Sequence, residues 1–150
     1  MTPANHGLGD VESCRAVRAP RLLFVDDDAY VLEGIRRLLA CLRPSWEVAS
    51  ATHAGEATAR LLSDAFDVVT VGLTTPGVDP LGWLERVTRR QPAAARVVFS
   101  SHVRASSHGF AWRWVQHALT QPATAGQLLQ VLEAALPEAL RDQADDAAAG

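Results

Sequence analysis

The sequence predicts an α/β fold in which one parallel sheet is covered by helices on both faces. Three observations predict it: short apolar runs recur along the chain, segments of helical periodicity separate them, and the runs stop abruptly at polar or glycine residues. An apolar content of 48% over 150 residues suits one compact domain with a sizeable core.

The elements follow in order. Arg21-Leu-Leu-Phe-Val25 is an apolar run ended by three aspartates, as a buried strand would be. From Ala29 to Leu42, Leu32, Ile35, Leu38, Leu39 and Leu42 recur at helical spacing, with Glu33, Arg36 and Arg37 opposite. Pro44 breaks that helix, and Trp46 to Ser50 reads as a second strand. Ala54, Ala57, Leu61 and Leu62 mark a second helix, and Phe66 to Val71 a third strand ending at Gly72. The turn-rich stretch Thr74 to Pro80 leads into a helix carrying Leu81, Leu84 and Val87. Arg96 to Ser100 is the fourth strand, about Ser106 to Gln116 a fourth helix, and His117 to Thr120 a brief fifth strand. Leu128, Leu129, Leu132, Ala135 and Leu136 give the last amphipathic helix. Residues 1–20 read as a flexible leader, 21–136 as the domain, and 137–150 as a frayed, acidic extension.

Bulk properties narrow the function. A net charge of −3 and a pI near 5.9 argue against broad binding to nucleic acid or an anionic membrane. No run approaches the ~18 apolar residues of a spanning helix, and the first twenty residues lack a signal-peptide core. Cys14 and Cys41 suggest neither a disulfide framework nor a zinc site, so a reducing cytoplasm is expected. His102, His108 and His117 lack an acidic or cysteine partner at ligand spacing and read as ordinary loop histidines. Arg86, Arg89 and Arg90 match the electrostatics of a helix carboxyl end.

In a parallel α/β sheet, chemistry gathers at the carboxyl ends of the strands. The segments Leu22-Leu-Phe-Val-Asp-Asp-Asp28, Phe66 to Asp79, Arg96-Val-Val-Phe-Ser-Ser101 and Ala118-Leu-Thr-Gln-Pro122 carry those ends. Their content and order over residues 21–136 resemble the receiver domains of two-component response regulators. That resemblance implies a flavodoxin-like (βα)5 sheet in the order 2-1-3-4-5. It further implies an acidic pair for Mg²⁺, matched by Asp26 and Asp27, an aspartyl nucleophile ending the third strand, a hydroxyl sensor matched by Ser100, and a lysine before the proline of the fifth strand.

Two of these groups are absent. Gly72 occupies the nucleophile position, and a hydrogen side chain cannot attack phosphorus. Gln121 occupies the lysine position, which removes the charge that would steady a phosphoryl group. Ala118 stands where the family often carries a switching aromatic residue, leaving Ser100 and Ala118 as a vestigial switch. Asp26 and Asp27, with the Thr74 carbonyl, then imply a weak or vestigial Mg²⁺ site, and no cofactor is required. Asp28 and Asp79 fit helix caps better than substitute nucleophiles, and Asp67 sits at the wrong end of its strand.

Phe110, Trp112 and Trp114 alternate with Ala111 and Arg113, so a helix there turns some aromatic surface outward. The alternative is inward packing of Phe110 and Trp114 with Trp112 alone exposed. The expectation is therefore a non-enzymatic pseudo-receiver, cytoplasmic, acting by phosphorylation-independent contact with a protein partner or a second copy. It excludes nucleic-acid and membrane binding. The alternatives are a metal- or ligand-responsive domain using the Asp26/Asp27 crevice and an unconventional phosphotransfer component.

Overall fold

The computed structural model describes residues 18–72, 80–100 and 115–141. Five parallel strands form one sheet: β1 (Arg21–Val25), β2 (Glu47–Ala51), β3 (Val68–Val71), β4 (Ala95–Ser100) and β5 (His117–Thr120), in the order β2-β1-β3-β4-β5. The helices that flank the strands are α1 (Ala29–Leu42), α2 (Ala54–Ser63), α3 (Pro80–Arg90) and α4 (Ala125–Ala135), and residues 138–141 add a helical turn. This is the expected flavodoxin-like arrangement.

Alternation along the central strands assigns side chains to two cores. Leu22, Phe24, Val68, Val97 and Phe99 face α1 and α4, where they meet Leu32, Ile35, Leu39, Leu128 and Leu132. Leu23, Val25, Val69, Val71 and Val98 face α2 and α3, against Ala57, Leu61, Trp83, Leu84 and Val87. Near-continuous apolar strands are the consequence of burial on both faces. The flanking strands are less apolar because they lie at the sheet edges; in β5 only Leu119 is buried.

Several boundaries differ from the sequence reading, among them a second strand that ends at Ala51 and a fourth that starts at Ala95. The second strand starts at Glu47, one residue later, because Trp46 turns into the core beneath the Arg43 guanidinium, 5.9 Å from its ring centroid. The third strand starts at Val68, and Asp67 before it uses its side chain elsewhere. The helix expected to run to Gln116 does not: Val115 and Gln116 are not helical, and Gln116 instead exchanges bonds of 2.9 Å with Arg96 through its N–H and its Oε1. The remainder of that expected helix lies outside the described residues.

Past Leu136 the chain stays packed through Arg141. Leu140 is buried, and Arg141 donates to the carbonyls of Leu136 and Ala134 at the end of α4, at 2.8 and 3.0 Å. Among the described residues no helix is long and apolar enough to cross a membrane.

Candidate functional site at the carboxyl edge of the sheet

The strand order lays the ends of β1, β3, β4 and β5 side by side, and with them Asp26, Gly72, Ser100 and Gln121 in that sequence. Val25 and Val71 are register partners, and the Gly72 N–H donates to the Val25 carbonyl at 2.8 Å. Gly72 is therefore fixed directly beside the acidic turn that leaves β1. It is buried.

Asp26 is held from both sides. Its N–H donates to Ala51 of β2 at 3.1 Å, and its Oδ1 accepts the Asp28 N–H at 2.9 Å. Asp28 caps α1, its Oδ1 accepting from the N–H groups of Tyr30 and Val31 at 2.9 and 3.3 Å. That is the role its position before the first apolar helix suggested. Asp26 has its pKa raised, first by burial and then by the neighbouring carboxyls of Asp27 and Asp28, while the Asp28 N–H works in the opposite direction. Like charges this close disfavour joint ionisation.

A divalent cation is the group such a pair would accept. Asp26 and Asp27 supply hard oxygens, and Mg²⁺ binds through few carboxylates while keeping several waters. With glycine at position 72, a third carboxylate is missing from the end of β3, and among the described residues no trio of His, Cys, Asp or Glu is grouped to hold a metal. The residues present fit a weak site and not a tight one. Thr74, the other expected ligand, lies outside the described residues.

Gln121 is half-buried beyond β5 and lines a shallow cleft with Thr120, Pro122, Gln127 and Gln130, and the Gln121–Pro122 peptide is cis. Thr124 begins α4 with a capping box, Gln127 N–H to Thr124 Oγ1 at 3.1 Å and Thr124 N–H to Gln127 Oε1 at 2.9 Å. Ala118 is exposed on the edge strand. Ser100 pairs with Thr120 in the ladder. Phe110, Trp112 and Trp114 lie outside the described residues.

One feature of this edge was missed. Tyr30, in the first turn of α1, is 90% exposed and borders an apolar groove between α1 and α4 with Val31, Ile35, Phe99 and Leu128. A helical wheel carries the signal, since Tyr30 falls off the Leu32–Ile35–Leu39 stripe.

No protein-family model and no curated protein matches the chain. Solved structures do. A response regulator receiver domain, CheY-like, from Methanospirillum hungatei superposes with a TM-score of 0.71 at 21% identity, covering 85% of this chain and 98% of that one. The signal receiver domain of an HD domain-containing protein from Pseudomonas fluorescens gives 0.70 at 24% identity, with 86% and 92% covered. The response regulator TrrA from Thermotoga maritima, solved in complex with Mg(2+)-BeF, gives 0.69 at 18% identity, with 78% and 99% covered. At these identities the likeness establishes the fold, that of CheY-like receiver domains.

Proposed function

We propose that the chain is a pseudo-receiver: a cytoplasmic, non-enzymatic regulatory module that signals by docking to a protein partner without carrying a phosphoryl group itself. The observation that supports this reading is the end of β3, where buried Gly72 lies against the Asp26 turn in the place a receiver keeps its nucleophile. No side chain there can form an acyl phosphate. Gln121, uncharged, adds a second missing group. Output then rests on surface, and Phe110, Trp112 and Trp114 are the composition of a binding hot spot. The partner is a protein, a second copy included, rather than nucleic acid or membrane, in keeping with the net charge of −3.

The test is affinity capture with the full chain, run with and without acetyl phosphate and Mg²⁺, beside Trp112→Ala and Trp114→Ala. The same partners are expected in both conditions, with losses in the two variants. Partners that bind only after acetyl phosphate treatment would overturn the reading.

A second reading has its own support in the crowded Asp26/Asp27 pair, which a divalent cation would relieve. There the domain responds to metal. A thermal shift with Mg²⁺, Mn²⁺ or Ca²⁺ supports it, since a ligand of the native state raises the melting temperature by mass action. No shift with any of the three removes it.

A further inference from the structure

The face of the sheet covered by α2 and α3 carries a feature that the receiver reading does not use. Thr58, Leu61 and Leu62 of α2 and Trp83, Arg86, Arg89 and Arg90 of α3 line a mostly apolar groove of about 280 Å³. Leu62, unlike its neighbour Leu61, is left 57% exposed. Positions 83, 86 and 90 form one stripe of α3, so the indole wall and two guanidiniums face the same opening.

Among the described residues the charge around the groove is one-sided. Glu85, the single acid of α3, pairs with Arg89 at 2.8 Å. Arg86 and Arg90 are exposed and make no ion pair among the described residues. Glu56 of α2 is turned to the Thr52 N–H at 2.8 Å. An apolar floor with an unneutralised arginine rim is complementary to a ligand that is both apolar and anionic.

Size and global charge choose among such ligands. Small-molecule sites typically enclose about 300–1,000 Å³, so this groove seats a side chain or two and not a whole ligand. A lipid surface or a nucleic acid needs a broad basic field, whereas here the cations gather at one helix end of a chain with net charge −3. We propose that the α2/α3 groove docks an acidic amphipathic segment of a partner protein, one bulky apolar side chain resting on Leu61, Leu62 and Trp83 while carboxylates pair with Arg86 and Arg90. This groove is lined by none of residues 110–114, so its test uses other variants than that of the pseudo-receiver reading.

The experiment is fluorescence anisotropy with the full chain and a fluorescein-labelled peptide, Asp-Glu-Leu-Asp-Phe-Leu-Glu-Asp. Control peptides carry amides in place of the acids, or serines in place of Leu and Phe. Saturable binding is expected, weakened by salt and by either control. The double variant Arg86→Glu/Arg90→Glu, and separately Leu62→Asp, should each bind about tenfold or more weakly with little change in melting temperature, since all three side chains are exposed. Absence of saturation, equal binding by the double variant, or equal binding of the amide peptide would overturn the proposal. So would displacement by inorganic phosphate, preferential binding of phosphatidylglycerol vesicles, or self-association in sedimentation that the double variant abolishes. Each of these names a different occupant.

Discussion

The two ends of the β3 strand contrast in how their polar groups are satisfied. At the amino end Asp67 is buried and saturated: Arg18 donates to both its oxygens at 2.7 and 2.9 Å, and the Arg21 N–H adds a third bond at 2.8 Å. That contact raises the Arg18 pKa, chiefly through the hydrogen bonds to Asp67, against the effect of burial. Beside it Gln91 ties three segments together, its Oε1 accepting from Phe66 N–H at 2.7 Å and its Nε2 donating to the carbonyls of Leu61 and Asp64 at 3.0 and 2.7 Å. At the carboxyl end the pattern reverses. The Thr70 hydroxyl is buried without a hydrogen-bond partner among the described residues, Asp26 and Asp27 crowd each other, and Gly72 offers no side chain. The two ends divide the labour of the sheet. One edge closes the fold; at the other, where α/β sheets place their ligands, the described residues leave polar groups unsatisfied.

Four substitutions probe the contrast between the two ends. Asp67→Ala should have the largest effect, about 3 kcal/mol of destabilisation by urea unfolding, because it orphans the Arg21 N–H along with the Arg18 guanidinium. Gln91→Ala, stripping bonds from three backbone groups, should remove about 2 kcal/mol by the same measurement. Thr70→Val changes sign: replacing a buried unpaired hydroxyl by a methyl should stabilise by about 1 kcal/mol. A loss of stability there would mean the hydroxyl has a partner and the carboxyl edge is less open than described.

Asp26→Asn should have the smallest effect, a rise in melting temperature on the order of 2 °C at neutral pH. The sign follows from the raised pKa of Asp26. The native state holds the proton more tightly than the unfolded chain. The resulting stability is complete below the ordinary value of 3.8 and is lost as pH rises through the higher native value. The advantage of the amide should therefore shrink as pH falls through that window, which melting curves at stepped pH will read.

Much of the fold was legible because local signals carried it. The apolar runs of β1 and β3, the stripe of Leu32, Ile35 and Leu39, and Asp28 as a cap each lie within a few neighbouring residues. The strand order came from resemblance, since no local pattern states which strands adjoin. The clamp on Asp67 was not legible, because Arg18 stands 49 residues away in a stretch read as leader, and Gln91 reaches back 25 positions to Phe66. Leu140, read as part of a frayed extension, is buried by contacts that only the folded chain supplies. At the site, Gly72 was visible at once as a missing side chain. The basic rim of α3 was visible too, yet its meaning depended on Leu62 and Trp83 arriving from two helices.

Whether the chain signals without taking up a phosphoryl group, as proposed, is read by its intact mass after incubation with acetyl phosphate and Mg²⁺. An unchanged mass is expected for the wild type, with a gain of one phosphoryl group confined to Gly72→Asp if the Asp26/Asp27 pair still serves. A phosphoryl group on the wild-type chain would contradict the proposal.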